Sequence, residues 1–168
     1  MKRFQALKGG TEGNLIISLS PSMSTDLIKG YLSGFGEIYP KVRFELYEVP
    51  VTELENQLLY GLSEIGVACA PLQQAEAFDV IYQDWDVLAA VYQYENKWKQ
   101  FLEDKSLSLS SLINIPLHLS RGCLPTFEKA CEEFGLQPEI LSVNTTKMST
   151  IMWARQGAGV AIVPASKT

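Results

Sequence analysis

From Asn14 onward, apolar runs of strand length alternate with stretches in which apolar residues return every three or four positions. The first run, Leu15–Ser20, predicts a buried strand. It is followed by a helix whose apolar positions are Leu27, Ile28, Tyr31, Leu32, Phe35 and Ile38, stopped by Pro40. "VRFELYEV" (42–49) predicts a second strand. Thr52-Glu53-Leu54-Glu55 has the spacing of a capping box and opens a second helix that closes at Gly61. "IGVACA" (65–70) predicts a third strand. Short connections between these elements imply a parallel sheet with helices on its faces.

The second half repeats the alternation with a different start. "DVIYQDWDVLAAVY" (79–92) reads as one or two strands passing to another lobe, and a solvated Lys/Glu-rich helix is expected near 94–103. "IPLHLS" (115–120) predicts a strand. Pro125 suits the first turn of the next helix, which turns Phe127, Ala130, Cys131 and Phe134 inward and stops at Gly135. "EILSV" (139–143) is a further strand. A helix over 146–156 is expected to bury Met148, Ile151 and Met152 and to end at Gly157, before the strand "GVAIVP" (159–164). The fold class expected is therefore α/β, with two lobes. The expected bounds are a linker remnant at 1–12, a first subdomain at 13–88 lacking its C-terminal return elements, a second subdomain at 89–163, and a return crossover at 164–168.

Charge narrows the function. Fourteen basic against nineteen acidic residues give a net charge of −5, which argues against this chain gripping nucleic acid by itself. No apolar stretch approaches the ~20 residues of a membrane span, and "MKRFQALKGG" lacks the apolar core of a secretion signal. Three cysteines without paired metal spacing suggest a reducing cytoplasm. A single histidine, His118, limits metal and acid–base chemistry, and no cofactor is expected.

Candidate chemistry sits at two strand-to-helix junctions. In "SLSPSMST" the hydroxyls of Ser20, Ser22 and Ser24 stand where the first strand hands over to a helix. They are expected to cap that helix and to donate to an anion held by its unpaired N–H groups. In "SRGCLP" Ser120 ends a strand, Arg121 supplies a bidentate cation, and Gly122 allows close backbone approach. Serines before helices are ordinarily plain caps. Two such junctions facing one cleft would instead form an anion trap.

The order of "GNLIISLS", "GFGEIYPKVRFELYE", "ELENQLLYGLSEIGVAC", "SLSSLINIPLHLSRG", "FEKACEEFGLQPEI" and "QGAGVAIVPAS" resembles the effector-binding domain of LysR-type transcriptional regulators. The resemblance implies two Rossmann-like subdomains, similar to type 2 periplasmic binding proteins, with a small-molecule effector between them. It also implies homodimers or tetramers, and contact with DNA only through a helix-turn-helix that this sequence lacks. By position, Ser20, Ser22 and Met23 match effector contacts at the first junction. Val51 stands where many members carry threonine, with Thr52 adjacent, and Ser120, Arg121, Gly122 and Cys123 match the contact region of the second lobe. The helix carrying Trp153 lies near subunit contacts in the family.

Two other readings remain open at this level. Cys123 and Cys131 are similar to the disulfide pair of the family's peroxide-sensing branch, which would make this a thiol-based redox sensor. Their eight-residue separation on a helix spans roughly 12 Å, so the helix would have to unwind for the ~7 Å a disulfide allows. A small two-lobe enzyme is the second alternative. His118 within a strand pattern, no Gly-rich phosphate loop, and acidic pairs such as Glu132-Glu133 on solvated faces offer it little.

Overall fold

A computed structural model describes residues 11–166 except 22, 70, 95–97 and 99–106. The chain divides into two compact units, Met1–Ile81 and Tyr82–Thr168. In the first, β1 (Glu12–Leu19) lies between β2 (Lys41–Glu48) and β3 (Ile65–Val67), all parallel, in the order β2-β1-β3. This is the predicted βαβαβ unit. Ile17 and Leu19 of β1 are buried with Val42 and with Leu54 of α3 (Val51–Leu59). Gly66 of β3 lies under Leu54 and Leu58, so α3 packs directly on the strand backbone.

The first helical stretch is interrupted. An α segment, α1 (Ser24–Leu27), passes through a π-helical turn (Ile28–Leu32) into α2 (Ser33–Ile38). Phe35 anchors α2 to β2 through an edge-on contact with Phe44, their ring centroids 6.0 Å apart. Ile28, Tyr31 and Ile38 are exposed rather than inward-facing. The expected capping box is also corrected. Pro50 is the N-cap of α3, with the extended backbone that position needs, and no side chain caps the helix. Thr52 therefore stands one residue inside it.

The second unit has the strand order β4-β7-β5-β6. β5 (Leu117–Ser120) runs parallel to β6 (Ile140–Asn144) and β7 (Val160–Ser166), and β4 (Asp86–Val91) closes the sheet antiparallel to β7. α4 (Leu124–Glu133) covers one face. Its Phe127 and Cys131 join Leu117, Leu119, Val160 and Ile162 in a single apolar core. Pro125 lies in its first turn as predicted, and Gly135 follows at positive φ. Phe134 is exposed because it is the C-cap rather than part of the inward face.

α5 (Lys147–Arg155) packs on β5, β6 and β7 with Thr150 and Ala154 buried. Met148 and Met152, expected inward, are exposed. The strand face beneath α5 carries His118 and Ser120, so small residues approach it closely and the methionines turn outward. Of the aromatic group in the crossover region, Tyr92 and Trp98 pack on the core, whereas Tyr82, Trp85 and Tyr94 are exposed. The Lys/Glu-rich helix expected near 94–103 falls mostly outside the described residues.

Candidate functional site

Parallel strands finish at a common edge, and in both units that edge holds residues singled out from the sequence. In the first unit Ser20 directly follows β1. Its N–H donates to the Val67 carbonyl at 2.9 Å, its carbonyl accepts from Met23 N–H at 2.9 Å, and its hydroxyl oxygen accepts from Cys69 N–H at 3.4 Å. Ser20 thus joins the exits of β1 and β3 instead of capping a helix. The N-cap of α1 is Met23, without a side-chain cap bond. That corrects the expectation for Ser20, whose hydroxyl serves the β3 exit and not the helix.

Val49 N–H donates to the Leu19 carbonyl at 2.9 Å, which brings the exit of β2, and with it the start of α3, beside the Ser20 turn. Val51 is half-buried there, Thr52 is exposed, and Met23 is half-buried. Ser22 lies outside the described residues. One turn further along α3, the carboxylate of Glu55 is 1% exposed and accepts from Gln74 N–H at 2.9 Å. It ties the loop that follows β3 onto the helix. Ser18, buried in β1, bonds the side chain of Gln57, which in turn donates to Glu53 at 3.1 Å.

In the second unit Ser120 is fully buried at the end of β5. Arg121, Gly122 and Cys123 form a single 3-10 turn leading into α4, with Arg121 and Gly122 exposed and Cys123 buried. Beside them stands a residue that the sequence reading missed. Asn144 is the last residue of β6 and pairs in register with Ser120. The signal available for it was the third strand-to-helix junction, "VNTTKMS", where Thr146 caps α5 by accepting from Ser149 N–H at 3.2 Å.

A register shift between Leu117 and His118 places Ser142, not Leu141, opposite His118. A polar chain results beneath α5. Trp153 Nε1–H donates to Asn144 Oδ1 (3.2 Å), Asn144 Nδ2 donates to Ser142 Oγ (3.0 Å), and Ser142 Oγ meets His118 Nδ1 (2.7 Å). The indole of Trp153 also stacks flat on the imidazole, with ring centroids 5.0 Å apart and planes 3° from parallel. His118 is 2% exposed, and its Nε2 makes no hydrogen bond of ordinary geometry. Burial lowers its pKa from the usual 6.5, and the nearby Ala158 carbonyl opposes that only partly.

Cys123 and Cys131 are buried thiols not joined in a disulfide, at opposite ends of most of α4. Burial, with the charge of Glu128, pushes the Cys131 thiol pKa up, the reverse of what a reactive cysteine needs. Among the described residues no three His, Cys, Asp or Glu side chains gather as a metal ion would require. Two shallow depressions, of about 320 and 240 Å³, are lined by Glu128, Cys131 and Ile140 in one and Tyr47, Gln57 and Leu62 in the other. Neither includes a residue from the Ser20 or Ser120 turns. No helix among the described residues is long and apolar enough to cross a membrane.

Comparison with known proteins agrees with this architecture. The transcriptional regulator AlsR of Bacillus subtilis (strain 168), described as of the helix-turn-helix type, is 25% identical over 158 residues, covering 94% of this chain and 52% of its own. The chain thus spans about half the length of that relative. Among solved structures, the effector-binding domain of QuiR in complex with shikimate superposes with a TM-score of 0.72 at 12% identity, over 93% of this chain and 75% of that one. The BenM effector-binding domain with its effector benzoate gives 0.69 at 18%, over 90% and 70%. The cofactor-binding domain of the Cbl regulator gives 0.69 at 20%, over 98% and 70%. The fold is α/β and similar to periplasmic binding proteins, and these relatives are regulators or their ligand-binding domains, not enzymes. The family profile described as the LysR substrate binding domain matches residues 8–167: this chain belongs to the LysR substrate-binding domain family.

Proposed function

We propose that this chain is the sensing part of a cytoplasmic, oligomeric LysR-type regulator, and that it takes a small anionic effector at the carboxyl edges of its parallel strands. Contacts are assigned to Ser20, Ser22, Met23, Val51 and Thr52 in the first unit. In the second they are assigned to Ser120, Arg121 and Gly122, with Asn144 added and Cys123 supporting the turn from within. The observation that carries this reading is the edge of the second unit. An exposed guanidinium stands one residue beyond the fully buried Ser120, and the Asn144 amide ends the adjacent strand in register. A guanidinium forks onto a carboxylate, and an amide supplies a further neutral donor.

Binding would favour one arrangement of the chain over another, and only that difference in affinity can be passed on to a DNA-binding element. The solved complexes of QuiR with shikimate and BenM with benzoate support a carboxylate as the first class to try. Thermal-shift titration with shikimate, benzoate, acetate and sulfate tests the proposal. At least one should raise the melting temperature of the chain, and Arg121→Ala should abolish that rise while leaving the ligand-free melt unchanged, because Arg121 is exposed. Stabilisation that survives Arg121→Ala would refute the assignment.

A further inference from the structure

Asn144 is held by partners whose own chemistry allows only one orientation of its amide. An indole N–H can donate and cannot accept. The bond from Trp153 Nε1 therefore requires oxygen, not nitrogen, on the near side of Asn144. Its Nδ2 is then turned to Ser142, whose oxygen accepts one amide hydrogen. Ser142 Oγ also lies 2.7 Å from His118 Nδ1, and which of the two donates is set by the imidazole tautomer. The direction of donation is fixed from Trp153 through Asn144 to Ser142, whose oxygen has lone pairs enough to accept from Asn144 with either tautomer.

The opposite amide orientation would set the indole N–H against an amide N–H and lose that bond. Two features hold the arrangement in place. The register shift brings Ser142 and Asn144 opposite His118 and Ser120, and the stacking of Trp153 on His118 fixes where the indole N–H points. One amide hydrogen of Asn144 remains uncommitted at the strand end.

We propose that Trp153 is a positioning residue for effector recognition: its N–H sets the Asn144 amide so that the end of β6 offers an anion a donor of fixed direction. The inference rests on the effector reading above for its purpose, though not for its geometry. It makes part of the specificity of the second unit depend on a side chain that lies on the helix and touches no effector.

Trp153→Phe keeps an aromatic ring on the imidazole and removes only the donor. The side-chain amide signals of Asn144 should then shift, and affinity for benzoate or shikimate, whichever binds the wild type, should fall about fivefold, the worth of one ordinary hydrogen bond. A merely architectural role would lower the melting temperature and leave the affinity of the folded chain unchanged; that outcome, or unmoved Asn144 signals, overturns the proposal. Should neither probe bind the wild type, the carboxylate reading fails, while the Asn144 signals still decide whether Trp153 sets the amide.

Discussion

Gly159 offers the sharpest test of the packing that holds the second edge in place. It precedes β7, and a Cβ added there would lie 2.1 Å from the carbonyl oxygen of Pro116 and 3.0 Å from its carbon. Both obstructing atoms are backbone, so no side chain can swing aside. Cβ contacts under 3.0 Å are essentially never seen, so the start of β7 and the residue before β5 must part by about 0.9 Å. That separation breaks the 2.9 Å bond from Val160 N–H to the same Pro116 carbonyl. Overpacking costs about 1–3 kcal/mol and a lost buried backbone bond about as much again, so Gly159→Ala should destabilise by roughly 2–6 kcal/mol. For a chain of this length that is roughly 4–24 °C in melting temperature.

Gly34→Ala is the control, because a Cβ there meets nothing within 4 Å. Inside the helical stretch that runs from α1 through the π-helical turn into α2, it should stabilise by about 0.5–1 kcal/mol. Urea unfolding followed by circular dichroism reads both variants. A Gly159→Ala midpoint equal to wild type would show that β5 and β7 are not in the close register described, and the placement of Ser120 and Arg121 would fall with it.

Acidification should weaken the fold through His118. Its folded pKa lies below the ordinary 6.5, so the unfolded chain takes up the proton first. The stability contributed by the neutral ring is whole above that value and drains as pH falls through it. The strands flanking β5 carry no charged residue, and α5 carries only Lys147 and Arg155. Urea midpoints at about pH 7.5 and 5.5 should therefore differ in wild type and differ less in His118→Phe; equal slopes would refute the assignment. Iodoacetamide should label half-buried Cys69 well before Cys123 and Cys131, which become reactive only on unfolding. Equal native rates for all three, read by intact mass, would mean that α4 opens readily.

Much of the architecture was legible because it is written in periodicity and punctuation. The parallel β1–β3 unit followed from apolar runs bounded by short connections. Gly61, Gly135 and Gly157 all adopt positive φ at the helix ends where they were expected. Features set by long-range pairing were not legible. Thr52 has capping-box spacing, yet Pro50 already provides the extended residue before α3. The inward face of α5 consists of Thr150 and Ala154, small residues suited to lying over a polar strand face, and hydrophobic periodicity assigns that role to methionines instead. Asn144 gained its place only through the register shift in β6, which no spacing in the sequence announces. Ser20, chosen as a helix cap, lies at the edge expected of it while joining two strands.

The pairing of β4 with β7 has a consequence for engineering. Asp86 lies opposite Ser166, so the strands that begin and finish the second unit are immediate neighbours, about 5 Å apart. The first and last described strands of this unit can therefore be joined by a short linker, with new termini opened at the exposed Gln137 between α4 and β6.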